Sequence, residues 1–544
     1  MNKKDNSNTK LPDFSGPYRC ENMEILLNNS DSDKSGFGNK INFEELKKGG
    51  VVKLKEKGMF SVWVKTYCAN LNSQQLKKVA ELSEKYGRGV VLFSTRQIPI
   101  IPFVKLEDID TIKKELKKVE VGLDRCGPRI RNINVCYEDN ICRDAITNSL
   151  LLGEKLEKYF DDPILHKIKI GISGCSKDCI AARVLNDLCF IGVGKDSLYD
   201  AYLGGKLGLK PSIGLKMAES ISEDNCVKFV DNYFDLMRRE GKEKERSADI
   251  INRLGKETVQ KEVVRDLDKI DISKIKCSTH VKDKQFDKII LKIKATCGEL
   301  TSEQVEKISD LAEKYGNGFI HFTIYGSPEI PGIDKNNVEK IRLELLKADL
   351  EILDKGIDNI QTCFGGYCTK GVFDTQPLLK KIDILIKESG LKNQDIKISA
   401  SGCPSSCGIS YLSDIGFLGV AEPVVDEGKC SGCGICEKSC KVKAIKIINK
   451  IAIINNTKCS YCGECIKSCP IDIVQAKRTG IKILAGGSYG KKTVLAEPIA
   501  EFLSEEEALN AAKNCLRIMK EKNAKLRIII SELGIDEFKK NVLK

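Results

Sequence analysis

The chain has 544 residues, a length that predicts several domains rather than one. Lysine and arginine exceed aspartate and glutamate by 12, which over this length is typical of a solvated surface and suits an anionic ligand or an acidic partner. The sequence has no arginine-rich or aromatic-interleaved basic block and no apolar run long enough to span a bilayer, so neither nucleic acid nor a membrane is expected as a partner. The polar start MNKKDNSNTK lacks the apolar core of a signal peptide, and a cytoplasmic location is expected.

Cysteine is the most informative residue type in the chain. There are 24 cysteines and only three histidines, so mixed Cys/His zinc sites are poorly supplied with ligands. Disulfides are rare in a reducing cytoplasm, and ligation of iron–sulfur clusters by thiolates is therefore the expected use of the cysteines. Such clusters also favour a low-oxygen, anaerobic setting.

An internal duplication follows a polar extension at residues 1–50. Segment 67–104 matches segment 296–333, and both predict a capped amphipathic helix followed by a β-branched strand. Cys136 recurs as Cys363 at an offset of 227 residues, whereas Gly204 recurs as Gly486 at an offset of 282. The second copy therefore contains an insertion of about 54 residues.

Each copy carries two pairs of cysteines. Copy one has C-x5-C in CYEDNIC and C-x3-C in GCSKDC, and copy two has C-x4-C in CFGGYC and C-x3-C in GCPSSC. Four thiolates are the usual ligand set of a 4Fe–4S cluster. The candidate sets are Cys136, Cys142, Cys175 and Cys179 in copy one, and Cys363, Cys368, Cys403 and Cys407 in copy two. Cysteines that fit no cluster pattern, among them Cys126, are expected to be buried or incidental thiols.

The insertion has the spacing of a ferredoxin that holds two 4Fe–4S clusters. It contains C-x2-C-x2-C-x3-C twice, as CSGCGICEKSC and as CSYCGECIKSCP, with Lys441 where the first run usually has proline. Three closely spaced thiolates bind one cluster, and the fourth cysteine of each run binds the other cluster. The predicted ligand sets are Cys430, Cys433, Cys436 and Cys469 for the first cluster, and Cys459, Cys462, Cys465 and Cys440 for the second. A structural zinc site would leave four of these eight thiols unused.

The combined pattern resembles the sirohaem-dependent sulfite and nitrite reductases. The resemblance rests on the cysteine pairs, on STRQ at 94–97, on RN at 131–132 and on the K-x-K that precedes SGC. Two copies with a ferredoxin insert look most like a dissimilatory or anaerobic-type sulfite reductase fused into one chain. The resemblance implies a 4Fe–4S cluster bridged through a cysteine thiolate to the iron of sirohaem, where sulfite or nitrite binds and takes six electrons.

Copy one carries the cations that this resemblance requires. Reduction of an oxyanion needs groups that hold negative charge and deliver protons as oxygens leave as water. The implied catalytic set is Arg96, Arg131, Lys167 and Lys169. Lys167 and Lys169 alternate in KIKIG, so on a strand both side chains lie on one face.

Copy two has lost most of this charge. The aligned residues are Tyr325, Asp358, Asp395 and Lys397, and such a set repels an anion. The resemblance therefore implies one working site built across the copies, in which the copy-one cations face a sirohaem-linked cluster on the copy-two cysteines, with Cys407 as the bridging thiolate. The C-x4-C pair is one residue shorter than the family spacing, and its two glycines give the loop freedom to reach. The copy-one cysteines are expected to hold a second cluster, with or without a non-catalytic sirohaem.

The leading functional prediction is reduction of sulfite to sulfide, with electrons arriving through the ferredoxin insert. A nitrite reductase of the same architecture, forming ammonia, is the alternative, because both anions use the same cations. A second alternative is a non-enzymatic iron–sulfur electron-transfer protein without sirohaem. No dinucleotide or flavin motif is present, so the expected donor is a reduced ferredoxin or a separate reductase subunit. The oligomeric state is left open.

The predicted fold class is α+β, with duplicated ferredoxin-like half-domains, two sirohaem/4Fe–4S α/β domains and a bacterial-type ferredoxin insert. The charged segment 237–274 has few apolar anchors and predicts an exposed linker helix. The expected divisions are an extension at 1–50, half-domains at 51–110 and 279–339, cluster domains at 111–237 and at 340–423 with 478–544, a linker at 238–278 and the insert at 424–477.

Overall fold

The computed structural model describes residues 42–137, 141–194, 197–268, 288–353, 360–391 and 396–544. Within these ranges the chain repeats one arrangement of helices and sheets twice, and the predicted α+β class is confirmed. None of the helices in the described ranges combines the length and the apolar character needed to cross a membrane.

Two half-domains have matching elements. The first contains α1 Phe43–Lys48, β1 Val51–Lys53, β2 Met59–Trp63, β3 Asn70–Asn72, α2 Ser73–Tyr86, β4 Val90–Phe93, β5 Pro99–Lys105 and α3 Ile109–Lys118. The second contains β11 Lys288–Lys292, β12 Glu299–Thr301, α9 Ser302–Tyr315, β13 Phe319–Phe322, β14 Pro328–Asp334 and α10 Val338–Leu346. Both long helices, α2 and α9, begin at a capping box, as their sequences predict.

The half-domains exchange strands. One sheet has the order β1-β2-β5-β4-β12, and the other has the order β11-β14-β13-β3. Thus β12 of copy two pairs with β4 of copy one, and β3 of copy one pairs with β13 of copy two. Both sheets bury their apolar faces in one shared core, in which the Phe93 and Phe322 rings stack with centroids 5.5 Å apart. The pairing fixes the two copies to each other around a pseudo-two-fold axis.

Two cluster domains repeat a second sheet. The first contains β6 Asn134–Val135, α4 Ser149–Glu157, β7 Ile170–Ser173, α5 Ala182–Leu185, β8 Leu188–Val193, β9 Leu198–Leu203, β10 Leu215–Ile221, α6 Glu223–Glu240, α7 Ser247–Leu254 and α8 Lys256–Val263. The second contains β15 Gln361–Thr362, α11 Thr375–Ser389, β16 Ile398–Ser401, β17 Ile415–Val425, β20 Val474–Ala485, β21 Glu497–Leu503, α14 Glu505–Lys522, α15 Leu526–Leu533 and α16 Ile535–Val542. In each sheet the first three strands are parallel and the last two antiparallel, in the orders β6-β7-β8-β9-β10 and β15-β16-β17-β20-β21.

The insert lies at the end of a hairpin that is longer in copy two. Strands β8 and β9 have six residues each, whereas the corresponding β17 and β20 have 11 and 12 residues. Hairpin tips tolerate insertions because the domain core does not depend on them. The insert contains α12 Ile435–Ser439, β18 Ile445–Ile448, β19 Ile451–Ile454 and α13 Glu464–Ser468.

The segment expected to be an exposed linker is largely part of the first cluster domain. Helix α6 continues to Glu240, and α7 and α8 then pack on the same core. Ile250, Val259 and Val263 are fully buried there. A few apolar residues at helical spacing were enough to anchor a segment whose composition is mainly charged.

The expected half-domain boundaries at 110 and 339 cut into α3 and α10. Both helices belong to the half-domains, because Ile112 and Leu116 of α3, and Ile341 and Leu345 of α10, are buried in the shared core.

Gln97 joins three parts of the molecule through buried hydrogen bonds. Its Nε2 donates to the carbonyl oxygens of Val135 and Phe322, at 3.0 and 2.7 Å. Its Oε1 accepts from Asn134 Nδ2 at 2.9 Å and from the N–H of Val135 at 3.1 Å. One side chain therefore links the copy-one half-domain to β6 and to β13 of copy two.

We expect Gln97→Ala to destabilise the protein strongly. The substitution leaves several buried polar groups without partners, and each such group costs about 1–3 kcal/mol. The urea midpoint, followed by far-UV circular dichroism, should fall clearly below that of the parent protein. The control is Gln376→Ala, because Gln376 is only half-buried and donates to Glu299 where water can replace it. Equal, small shifts in both variants would contradict the linking role of Gln97.

Candidate active site

Arg96 is fixed by a buried salt bridge. It belongs to the turn at 94–97 that follows β4, and its Nη2 lies 2.6 Å from Oδ2 of the fully buried Asp124. The same nitrogen donates to the carbonyl oxygen of Arg125 at 3.2 Å, and the guanidinium lies 4.9 Å from the Trp63 ring centroid. These contacts hold one predicted cation in a defined position.

Arg131 approaches Arg96 from the neighbouring strand region. Its Nη1 donates to the carbonyl oxygen of Arg125, and its Nη2 donates to that of Gly127 at 2.9 Å. Its Nε is buried and has no hydrogen-bond partner among the described residues. A buried donor of this kind is one that a bound anion would satisfy.

Lys167 and Lys169 flank a buried residue on an adjacent strand segment. Ile168 is fully buried, and its backbone pairs in parallel with Ile130. Because side chains alternate along a strand, both lysines lie on the face opposite to that of Ile168. Arg131 follows Ile130 directly, so the arginine and the two lysines share one surface.

The four predicted cations influence one another electrostatically. Burial lowers the pKa of Lys169 to about 7, with Arg96 and Arg246 acting in the same direction. Burial also lowers the pKa of Lys167 well below its usual value, with Arg246 and Arg131 adding to the effect. The structure thus brings together the residues Arg96, Arg131, Lys167 and Lys169.

Arg246 is a fifth cation at this site, and the sequence reasoning missed it. Its Nε and Nη2 donate to the two carboxylate oxygens of Asp187, at 2.8 and 2.7 Å. Asp187 is fully buried, and its Oδ2 also accepts from the backbone N–H of Lys169 at 3.0 Å. Arg246 lies just before α7, in the segment whose composition predicts an exposed linker.

Cys126 is a second residue that the sequence reasoning passed over. Its Sγ lies 3.8 Å from Arg96 Nη1, and the residue is buried. Burial raises the pKa of this thiol, but Arg131 and Arg96 outweigh that effect and lower the pKa below its usual value. The position of Cys126 in the sequence matches no ligand or catalytic motif, because its contact with Arg96 is made only when the chain folds.

The cations of copy one face a cysteine of copy two. Thr95 Oγ1 donates to the carbonyl oxygen of Cys407 at 2.9 Å. The Cys407 thiol is also among the charges that act on Lys169, where it opposes the effect of burial. Cys407 itself is exposed.

The copy-one half-domain also packs on the C-x4-C loop of copy two. The backbone N–H of Lys55 donates to the carbonyl oxygen of Tyr367 at 2.8 Å, and the Trp63 and Phe364 rings stack with centroids 5.8 Å apart. Only glycine fits at Gly365, because an added Cβ would lie 2.2 Å from a neighbouring threonine hydroxyl. The loop is therefore shaped by contacts with both copies.

The copy-two cysteines fit a 4Fe–4S cluster. Cys363 Sγ accepts from the N–H groups of Gly402 and Gly365, at 3.2 and 3.3 Å, as metal-bound thiolates commonly do. Burial raises the pKa of Cys363 well above its usual value, and the other three thiols of the set, Cys407, Cys368 and Cys403, add to this. The iron ions of a cluster would supply the positive charge that these thiolates need.

The copy-one cysteines form an equivalent group. Cys136 Sγ accepts from the N–H of Gly174 at 2.9 Å. Burial raises the pKa of Cys136 to about 12, and the thiols that add to this are Cys179, Cys142 and Cys175. Among the described residues no three Cys, His, Asp or Glu side chains converge as they would on a single metal ion. In a 4Fe–4S cluster each thiolate binds its own iron, so the ligands surround the cluster instead.

The copy-two counterpart of the cation site is filled differently. Tyr325, which aligns with Arg96, is buried and stacks on Tyr489 with ring centroids 6.0 Å apart. The Lys397 ammonium lies 3.8 Å from the Tyr489 centroid. The other two aligned residues, Asp358 and Asp395, lie outside the described residues.

The insert arranges its eight cysteines in two groups. One cavity is lined by Cys430, Cys433, Cys436 and Cys469, together with apolar residues that include Ile447 and Val474. In the second group, burial raises the pKa of Cys465 to about 12, and the thiols acting on it are Cys462, Cys459 and Cys440. Each group contains one cysteine from the other C-x2-C-x2-C-x3-C run.

The second group lies beside the copy-two cluster domain. Lys370 Nζ pairs with Glu464 Oε2 at 3.0 Å, and Lys467 Nζ donates to the carbonyl oxygen of Thr369 at 2.7 Å. Burial lowers the pKa of Lys467, and the Cys403 thiol opposes that effect. The end of the insert that holds α13 therefore faces the copy-two cysteines.

Comparison with known proteins gives two matching family models. The model described as the nitrite and sulphite reductase 4Fe-4S domain matches residues 126–270 and 354–544. The model described as the nitrite/sulfite reductase ferredoxin-like half domain matches residues 52–119 and 281–348.

Individual relatives match parts of the chain. It is 34% identical over 248 residues to the coenzyme F420-dependent sulfite reductase of Methanocaldococcus jannaschii, covering 44% of this chain and 40% of that protein. It is 27% identical over 216 residues to the nitrite reductase [NAD(P)H] of Bacillus subtilis, covering 38% of this chain and 25% of that protein. The chain thus spans less than half the length of these two relatives.

The fold also matches a solved structure. The NirA protein of Mycobacterium tuberculosis superposes with a TM-score of 0.69 at 16% identity, covering 91% of this chain and 90% of that one. The two family models each match twice, once in each copy, and together they cover more than half of the chain. The chain therefore belongs to the nitrite and sulfite reductase family.

Proposed function

We propose that the protein reduces sulfite to sulfide with six electrons, at a sirohaem linked to a 4Fe–4S cluster on Cys363, Cys368, Cys403 and Cys407. The observation that carries the proposal is the meeting of the two copies: Thr95 of copy one hydrogen-bonds to Cys407 of copy two, and the Cys407 thiol acts on Lys169. Cations of one copy therefore face thiols of the other. Sulfite is favoured because the relative at 34% identity is a sulfite reductase.

When bound, sirohaem supplies an iron that holds the anion and receives electrons from the cluster. The chain's own residues supply the charge around it. Arg96 and Arg131 are permanent cations, and Arg131 Nε is a free donor among the described residues. Both guanidinium groups are already fixed by backbone carbonyl groups, so little reorganisation is needed when an oxyanion binds.

Lys167 and Lys169 are the proposed proton donors. Burial and neighbouring cations lower the pKa values of both lysines, so each gives up a proton more readily than an exposed lysine. An anion bound beside them would raise those pKa values and draw protons in, and the protons can then leave with oxygen as water. The bound anion thus first favours the protonated lysines. The low intrinsic proton affinity of the lysines then favours transfer of those protons to the substrate oxygen.

Electrons are proposed to pass through the insert. Its second cysteine group lies at the end that packs on the copy-two cluster domain, through the Lys370–Glu464 pair and the contact of Lys467 with Thr369. Its first group lies nearer the surface, with Cys433 exposed. The order would be the first insert cluster, the second insert cluster, and then the cluster on the copy-two cysteines.

Nitrite is the second candidate substrate. Its support is the relative at 27% identity, which is a nitrite reductase, together with a cation set that suits either oxyanion. Anaerobic steady-state assays of sulfide and ammonia formation, with reduced methyl viologen as donor, separate the two. We expect the higher kcat/KM with sulfite; a higher value with nitrite would reverse the assignment, and no turnover of either would reject a reductase.

Cys407→Ser should abolish reduction of the anion. A serine would not supply the thiolate that is proposed to hold the cluster and its linked sirohaem, so both the activity and the sirohaem absorption bands should be lost. Cys179→Ser is the matched control, because Cys179 occupies the same position of the C-x3-C pair in copy one. We expect that control to keep most of its activity. Loss of activity in Cys179→Ser alone would move the catalytic centre to the other cysteine set.

Arg246→Ala should lower kcat/KM by about 10- to 100-fold while sirohaem content is retained. Without Arg246, the buried Asp187 carboxylate must draw a lysine toward itself, and that lysine is then less available to the anion. The pH profile of kcat/KM should shift as the pKa of the recruited lysine rises. Arg246→Lys should recover most of the activity, because copy two uses Lys525 in this position, with its Nζ 3.8 Å from Asp414.

The matched control for Arg246 is Lys525→Ala. It removes the equivalent cation from the copy that keeps only Lys397 of the four aligned cations, so kcat/KM should change by less than about two-fold. An equal effect of Arg246→Ala and Lys525→Ala, with an unchanged pH profile, would show that Arg246 acts only through stability.

A further inference from the structure

The surface of the insert around its first cysteine group carries exposed apolar residues. Ile435, beside Cys433 and Cys436, is 40% exposed, and Ile471, which lines the cavity of this group, is 52% exposed. Ile448 at the end of β18 is 53% exposed. Each of these three isoleucines is at or next to a residue that lines the cavity of the first cysteine group, and exposed apolar surface of this kind often marks a binding site. These three isoleucines and the exposed Cys433 define what is called here the donor face.

The tip of the β18–β19 hairpin completes this face. Asn449 and Lys450 both have positive φ, as a two-residue hairpin turn requires. Lys450 packs on Gly432, where an added Cβ would lie 2.7 Å from the Lys450 Cα. Gly432 is between two of the predicted ligands of the first cluster, so the lysine lies directly beside that cluster's position.

The insert concentrates positive charge. Residues 424–477 contain nine lysines and five acidic residues, a net charge of +4, whereas the whole chain of 544 residues has +12. Some of these charges are paired, as in Lys429 with Asp426 and Lys446 with Glu437. Six lysines of the insert form no ion pair with described residues, and only two of its acidic residues are similarly unpaired. The lysines are Lys438, Lys441, Lys443, Lys450, Lys458 and Lys467, and the acidic residues are Glu427 and Asp472. The unpaired charge is therefore positive.

The opposite end of the insert is already occupied. The helix α13 packs on the copy-two cluster domain through Glu464 and Lys467. An external donor cannot reach the second cysteine group from that side. The first group, with Cys433 exposed, is the one that a donor can approach.

We propose that the donor face is the docking site of a small acidic ferredoxin. The proposal deepens the proposed function and rests on it in one respect: the electron that the ferredoxin delivers is used to reduce the anion. The apolar centre with a lysine rim suits a partner whose own cluster is ringed by acidic residues, because opposite charges steer the encounter and apolar contact then excludes water. In the transfer step the partner's reduced cluster loses one electron and the cluster on Cys430, Cys433, Cys436 and Cys469 gains it, with no bond made or broken.

The test is a double charge reversal, Lys438→Glu with Lys450→Glu, in the cofactor-loaded full chain. The probe is a reduced, acidic two-cluster 4Fe–4S ferredoxin. Its rate of electron transfer into the protein is followed by stopped-flow absorbance without sulfite, so the reading does not depend on turnover. We expect the second-order rate constant to fall by at least about ten-fold, and the rate constant of the parent protein to fall as salt is raised.

The matched control is Lys256→Glu with Lys261→Glu. Both lysines are exposed on α8 of copy one, and the net charge changes by the same amount. We expect the control to change the rate constant by less than about two-fold, and reduced methyl viologen to reduce all three proteins at similar rates.

Two outcomes would overturn the docking proposal. One is an unchanged rate constant in the Lys438/Lys450 variant, and the other is an equal fall in the control variant. Failure of the proposed function has a different signature, since ferredoxin would still reduce the insert in a charge-dependent way while neither sulfite nor nitrite was turned over.

Discussion

The exchange of strands between the two half-domains is the constraint on which the rest of the molecule depends. Because β12 pairs with β4 and β3 pairs with β13, the half-domains cannot separate without breaking both sheets and the core around Phe93 and Phe322. Each half-domain is therefore held against the cluster domain of the other copy. The contact of Thr95 with Cys407 follows directly from this exchange. A site made from two copies needs such a fixed interface, because a small displacement separates its charges from its thiols.

The same backbone carries two different electrostatic surfaces. Where copy one has Arg96 paired with Asp124, copy two has Tyr325 stacked on Tyr489. Gathering several cations in a buried place is unfavourable without an anion, and the lowered pKa values of the two lysines express that cost. Asp187 offsets part of it through its two bonds to Arg246. Copy two keeps only Lys397 of the four aligned cations, and there the stacking of Tyr325 on Tyr489 takes the place of the Arg96–Asp124 pair.

Much of this could be predicted from the sequence, and the failures have physical causes. Repeated segments and cysteine spacing predicted the duplication, the insert and the family, because these patterns are local in the chain. Arg246 was missed because its segment is mainly charged, and the buried apolar residues that anchor α7 and α8 are few. Cys126 was missed because its contact with Arg96 joins residues 30 positions apart in the chain. Contacts of that kind are set by tertiary structure and leave no periodic signal.

On the proposed function, the lengthened hairpin lets electrons and substrate approach one centre from different sides. Strands β17 and β20 continue beyond the sheet, and the N–H of Ala421 there donates to the carbonyl oxygen of Tyr461 at 2.8 Å. This contact holds the insert on copy two, the copy that has lost three of the four aligned cations. On the proposed function, copy two then supplies the cluster and the electron path, and copy one supplies the positive charge for the anion. Had the insert extended from β8 and β9 instead, it would lie on the copy that carries the cations and be separated from the cysteines that face them.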